Sequence, residues 1–303
     1  MGARRHGARV KVLILGGAGM LGHKLAQQWR DCFELAVTFR GSTSDYARYG
    51  VFEGARTFSH VDASSFDAIV RAIASVQPDA VVNCIGVIKQ LPTATDPLVS
   101  IETNSLFPHR LANLCRAAGA RLVHISTDCV FSGSRGNYSE SDISDAQDLY
   151  GRSKYLGEVA TLDNAITLRT SIIGRELKST SGLVEWFLSQ QGMTVQGWTR
   201  AIYTGVTTNV LSRVIADVLQ RHRDLHGVYQ VASEVIDKYA LLCLIRDAYR
   251  VKITIEPFDG VEIDRSLNGS RFRIATGFVA PSWSDMVAEM AADPTPYDHW
   301  RSS

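Results

Sequence analysis

The chain has 303 residues, 45% of them apolar and 21% charged, and a formal net charge of +1. That length accommodates one large α/β unit with a smaller lobe, and so small a charge gives no electrostatic case for nucleic acid or a membrane surface. The five cysteines, Cys32, Cys84, Cys115, Cys129 and Cys243, are odd in number and never in C-x-x-C spacing, which predicts free thiols in a reducing cytoplasm and no zinc or other metal site.

Residues 1–9 carry Arg4, Arg5 and Arg9 with no apolar run behind them, so they read as a disordered basic leader and not a signal peptide. No apolar stretch reaches the roughly 18 residues that a membrane-spanning helix needs. The first strand is predicted over 10–15, apolar but for Lys11 and rich in β-branched residues, a pattern of burial on both faces. Gly16, Gly19 and Gly22 follow at once, around Met20 and Leu21, and a helix continues over 24–30. The spacing departs from G-x-G-x-x-G, but the roles carry over. Gly16 permits the tight turn, Gly19 lets N–H groups approach a pyrophosphate, and Gly22 packs helix on strand. The helix N-terminus then adds partial positive charge for the phosphates.

The second strand, 35–39, ends in Arg40-Gly41-Ser42 with no acid in the place where an NAD-binding unit keeps one for the ribose 2′-hydroxyl. Arg40, with Ser42 as a further donor, suits a 2′-phosphate, so NADP(H) is the expected cofactor. A third strand is predicted over 57–61. Asp62 behind it either accepts from an adenine amino group or supplies charge to the next helix. That helix runs over 64–76, with Ser64 as N-cap and Asp67 completing a capping box. The fourth strand, 79–85, leads through Asn83, Cys84 and Gly86, where the chain should run close to the cofactor. A long helix over 100–118 ends at Gly119, and a fifth strand, 121–127, ends in Ser126-Thr127-Asp128.

The helix predicted over 145–162 carries Tyr150 and, one turn on, Lys154 on the same face. A phenol ordinarily titrates near pH 10. The neighbouring ammonium is expected to lower that of Tyr150 toward the working range, while Thr127 holds the same substrate oxygen. A sixth strand covers 165–169. Repeated βα alternation predicts a doubly wound parallel α/β sheet of the Rossmann type, with ligands beyond the C-terminal ends of its strands. Helices over 182–191, 208–219 and 237–249 alternate with short strands over 201–203, 227–232 and 252–256. The expected division is a cofactor-binding domain over 10–170 and a substrate-binding lobe over 171–303 that partly returns to it.

With these residues in hand, the chain resembles the extended short-chain dehydrogenase/reductases, and more narrowly their dTDP-4-dehydrorhamnose reductase branch, from about Lys11 to Asp293. The resemblance rests on the glycine turn, on the stretch from Ser126 to Gly133, on Tyr150-Gly151-Arg152-Ser153-Lys154 and on Leu168-Arg169-Thr170-Ser171. It implies that Thr127, Tyr150 and Lys154 are catalytic, with NADPH against them. It also implies reduction of a nucleotide-linked 4-keto-6-deoxy sugar for polysaccharide synthesis, and a homodimer through the helices at 100–118 and 145–162. The reductases usually carry a tyrosine where Cys129 stands and an aromatic near Ile172, which leaves the sugar open. The stretches from Gly86 to Gln90 and from Asp264 to Leu267 look like a divergent branch. Candidate substrate residues are Lys89, Asp128, Cys129, Arg200 and Arg271, the arginines for a diphosphate. Alternatives are an epimerase; a dehydratase, whose family pattern places Asp-Glu where this chain has Asp128-Cys129; and a non-catalytic NADP-binding subunit of another enzyme.

Overall fold

Alternate residues of the first strand feed two different cores. In β1 (Lys11–Leu15), Val12 and Ile14 join one apolar cluster and Leu13 and Leu15 another, so helices cover the strand on both faces. The computed structural model describes residues 9–89, 92–178 and 180–302; Gln90 and residues 1–8 of the expected leader lie outside them. The central sheet has seven parallel strands: β1, β2 (Glu34–Thr38), β3 (Arg56–Phe58), β4 (Ala80–Asn83), β5 (Arg121–Thr127), β6 (Ala165–Thr170) and β7 (Gly227–Gln230), in the order β7-β6-β5-β4-β1-β2-β3. The order reverses between β1 and β4, which opens a crevice at the strands' C-terminal ends. This is a doubly wound Rossmann-type α/β fold, and β7 comes from the second half of the chain.

Local chemistry sets the helix ends. In α1 (Met20–Trp29) the N-cap is Gly19, with no side-chain cap. In α2 (Phe66–Val76), Ala68, Ile69, Ala72, Ile73 and Val76 form the buried stripe. Its N-cap is Ser65 without a side-chain bond, not Ser64. The Ser64 N–H and hydroxyl instead donate to the Asp62 carboxylate at 2.9 and 2.6 Å. The helix expected from residue 100 begins earlier: the Asp96 carboxylate accepts from the N–H groups of Leu98 and Val99, and Pro97 takes the first turn. Residues Ile101–Leu106 then widen into a π-helix before α3 (Phe107–Ala117). Pro108 has no N–H for the carbonyl of Asn104 four residues earlier, and the widened turn absorbs that loss. The freed carbonyl faces Gly157, where an added Cβ would stand 1.8 Å from it.

The helix bearing Tyr150, α4 (Leu149–Leu156), is far shorter than the expected 145–162. Asp148 caps it by accepting from the Gly151 N–H, and the chain turns off at Gly157. Asp145 is drawn away to the Ser132 N–H and hydroxyl, at 2.7 and 2.5 Å.

Smaller sheets of two and three strands accompany the central one. Ala201–Tyr203 lies between Ile236–Asp237 and Ile263–Asp264. A satellite core of Val130, Phe131, Tyr138 and Leu267 ties this group to the loop after β5. Residues 293–297 pack back on α1: Lys24 pairs with Asp293 at 2.5 Å, and the Tyr297 hydroxyl meets His23 Nε2 at 2.9 Å.

Candidate active site

The C-terminal ends of β1, β2, β4 and β5 supply most of the residues singled out in the sequence. At β1, Gly16 has φ +81°, a left-handed conformation that favours glycine. A Cβ on Gly22 would stand 2.3 Å from the Gly16 carbonyl oxygen, so helix and turn touch backbone to backbone. Gly19 differs: a Cβ there would meet nothing closer than 3.4 Å. Its open side and the uncapped first turn, from Met20 and Leu21 onward, form a cradle of N–H groups that fits a pyrophosphate.

At β2, Arg40 is exposed and Ser42 part-buried. The expectation of no acid nearby needs correction. The Ser42 N–H donates to the Asp45 carboxylate at 3.3 Å, so an acid reaches this loop from the following helical turn. Asp62 spends one oxygen on Ser64. At β4, Asn83 is buried, with its amide turned inward onto His124 Nδ1 (3.1 Å) and the Ile85 N–H (3.1 Å). It can face a cofactor through its backbone alone. Burial pushes the Cys84 thiol up to about 12. Gly86 is exposed and borders the Asn104 amide.

The candidate catalytic group assembles where β5 meets α4. Thr127 ends β5; its hydroxyl donates to Asp128 Oδ1 at 3.1 Å and accepts from the Cys129 N–H at 3.1 Å. The Thr127 hydroxyl lies near enough to the Tyr150 phenol to favour its ionised form. Lys154, buried one helical turn after Tyr150, donates to the Ile125 carbonyl at 2.7 Å. This geometry corrects the expected titration. Burial holds the Tyr150 phenol above its ordinary value, with Cys129 and Asp128 adding to the shift and Thr127 opposing it. Burial also lowers the Lys154 ammonium to about 8, with Glu158 opposing. The ammonium is aimed at β5 and not at the phenol. Glu158 in turn takes both Arg169 Nε (2.8 Å) and a terminal guanidinium nitrogen (2.7 Å), and accepts from the Ser126 hydroxyl at 2.7 Å.

Around this group lies a charged cluster. Burial raises the Asp128 carboxyl, with Arg265, Thr127 and Lys238 opposing. Burial pushes the Cys129 thiol up to about 12, and this part-exposed side chain stands beside Asp128. Lys238 lies 5.0 Å from the centroid of the Tyr203 ring, and the Tyr203 hydroxyl is buried without a hydrogen-bond partner. Arg265 Nε donates to the Phe131 carbonyl at 2.9 Å. Lys89, exposed, pairs with the capping Asp148 at 2.7 Å and so borders α4. The other two predicted cations are not gathered here: Arg200 pairs with exposed Glu262 at 2.6 Å, and Arg271 stacks 4.6 Å from the Tyr229 ring centroid at the sheet edge.

Sequence reading missed Tyr203, Lys238, Arg265 and Asn104 as site residues. The first three converge from separate strands and helices and carry no local spacing. Asn104 carried a signal in Pro108, four residues on. Among the described residues no cluster of ligating side chains could hold a metal, and no helix is long and apolar enough to cross a membrane.

A family model described as RmlD substrate binding domain matches residues 10–295. The chain is 26% identical over 252 residues to methionine adenosyltransferase 2 subunit beta of Rattus norvegicus, covering 80% of this chain and 72% of that protein. It is 33% identical over 156 residues to dTDP-4-dehydrorhamnose reductase of Streptomyces griseus, covering 51% of this chain and 46% of that one. The crystal structure of dTDP-4-dehydrorhamnose reductase from Bacillus anthracis in complex with NADP superimposes with a TM-score of 0.75 at 18% identity, covering 93% of this chain and 98% of that one. At that identity the likeness is one of fold.

Proposed function

The chain belongs to the RmlD substrate binding domain family, and from that premise we propose that it is an NADPH-dependent reductase of a nucleotide-linked 4-keto-6-deoxy sugar, acting in the cytoplasm as a homodimer. The observation that carries this reading is the meeting of Thr127, Tyr150 and Lys154 at the C-terminal end of β5, two strands from the glycine turn on β1. Residues 10–170 hold the dinucleotide, through the cradle before α1 and through Arg40 and Ser42.

A bound reduced nicotinamide supplies the hydride. Tyr150 gives its proton to the ketone oxygen, a role that suits a phenol kept protonated by burial. Thr127 fixes that oxygen, a contact worth most as negative charge develops. Lys154, whose charge Glu158 favours, donates to the Ile125 carbonyl and has to turn from it toward the phenolate left behind in order to stabilise it. Lys238 and Arg265, beside Asp128, supply the cations for the diphosphate, while Arg200 and Arg271 are occupied elsewhere. Cys129 and Ile172 border the sugar. For the dimer, exposed Leu98, Ile101, Tyr155 and Leu156 line the π-bearing helix and α4.

A dehydratase needs an acid and a base at 128 and 129, and a thiol held up to about 12 is a poor substitute for the second carboxylate. An epimerase would retain its dinucleotide through purification, which mass spectrometry detects. A second reading, a non-catalytic subunit, is favoured by one observation: the likeness to the rat adenosyltransferase subunit spans 80% of the chain. One experiment separates these readings. NADPH oxidation is followed against dTDP-, UDP- and GDP-linked 4-keto-6-deoxy sugars, beside a pull-down from source extract. Turnover with one of these sugars supports the reductase; no turnover together with a stoichiometric enzyme partner supports the subunit.

A further inference from the structure

We propose that Lys178 is a second cationic determinant for a 2′-phosphate at the end of β2, a role that rests on the chain binding NADP as proposed above. Lys178 is exposed, and its Nζ stands 4.0 Å from the centroid of the Tyr46 ring. The Tyr46 ring is stacked on Phe39 at 4.5 Å and 18°. Its hydroxyl lies 3.8 Å from where a Cβ on Gly41 would stand. The ammonium therefore rests on the ring that packs against the Phe39-Arg40-Gly41-Ser42 corner leaving β2, although it comes from far along the chain.

The segment carrying it is seated at both ends. Arg175 pairs with Glu185 at 2.7 Å, and the Glu176 N–H donates to the same carboxylate at 2.9 Å. The Gly182 N–H donates to Glu176 at 2.8 Å, and a Cβ on Gly182 would stand 2.7 Å from the Met20 terminal methyl. One end thus touches the first residue of α1 beside the glycine turn, and Lys178 lies on the Tyr46 ring that stacks on Phe39 just past β2.

Charge explains why a second cation matters. Asp45 sits 2.9 Å from the Cβ position of Gly41 and accepts from the Ser42 N–H, so it offsets Arg40 at the place where a phosphate would arrive. Lys178 restores a net positive charge there. An exposed ammonium on an aromatic face is weakly held, so a phosphate beside it can recruit it.

The test is calorimetric titration of the full chain with 2′,5′-ADP and with 5′-AMP, which differ in the 2′-phosphate. Lys178→Ala should weaken 2′,5′-ADP about tenfold and change 5′-AMP by less than about twofold, and Lys178→Arg should restore the difference. An unchanged ratio in Lys178→Ala, or equal weakening of both nucleotides, overturns the assignment. If the unaltered chain binds neither nucleotide nor NADP⁺, the cofactor reading beneath it fails instead.

Discussion

The side-chain amide of Asn104 grips the backbone of Val87 on both sides of its Cα, with Oδ1 accepting from the Val87 N–H at 2.9 Å and Nδ2 donating to the Val87 carbonyl at 3.1 Å. The same Nδ2 lies 3.3 Å from the Ser153 hydroxyl, next to Lys154. The π-helix thus fixes the loop from Gly86 to Lys89 against α4.

Asn104→Ala removes all three bonds from a buried site and leaves the Val87 groups unpaired. The expected cost is about 2–4 kcal/mol of stability, together with a fall in kcat as α4 and its facing loop lose their common register. Thermal melts and steady-state kinetics read the two effects separately. A variant with unchanged kcat would show that the loop is held by other means.

Tyr150→Phe keeps the ring and deletes the acid. The rate of ketone reduction should fall by about 10²–10⁴-fold with the Kd for NADPH nearly unchanged. Fluorescence titration of the cofactor beside NADPH-oxidation assays measures both. Full turnover by this variant would remove the phenol from the proton transfer.

Glu158→Gln takes away the anion that opposes the low titration of Lys154, whose ammonium burial already brings to about 8. Lys154 should then lose its proton at lower pH, so the alkaline limb of the kcat profile moves down in pH. Arg169, 3% exposed, is left with a weaker partner, and the fold should lose about 2–4 kcal/mol. A destabilised variant with an unmoved alkaline limb would assign Glu158 to structure alone.

Lys154→Met tests the cost of that buried charge. The folded chain gives up the Lys154 proton near pH 8, while an unperturbed lysine holds its proton to 10.5. The unfolded state therefore binds more protons in this window, and stability contributed by the site rises with pH from about 8 to 10.5. Below it the penalty is complete. Lys154→Met should gain about 1–3 kcal/mol at pH 7, less whatever the unpaired Ile125 carbonyl costs, and the gain should shrink as pH climbs through the window. Denaturant unfolding at pH 7 and pH 10 decides it.

The glycine turn, β1, β5 and the Tyr150–Lys154 spacing were legible because each is a local pattern of a few residues. The missed boundaries have particular causes. Asp96-Pro97 is a readable helix start, but the π-helical turn at Ile101–Leu106 breaks the 3.6-residue spacing that would tie it to the helix beyond. Helix α4 stops at Gly157, and Glu158 beyond it pairs with Arg169 on β6, a contact across the fold that helical spacing does not display. The expected titration of Tyr150 failed for a similar reason: the spacing displays Lys154, but neither the burial of the phenol nor the Ile125 carbonyl that the ammonium turns to. Asp45 lay in plain view five residues past Arg40. Only the fold of that loop brings its carboxylate back to Ser42.

The contact between Lys24 and Asp293 joins residues 269 positions apart. A ribosome adding roughly 5–20 residues per second leaves that lysine without its counter-charge for tens of seconds after the first helix emerges. The contact that seats the first helix therefore forms only once residue 293 has been made. A nascent chain stalled before position 293 would carry an almost fully buried ammonium without the carboxylate it bonds to, which disfavours packing of that helix until the later segment arrives.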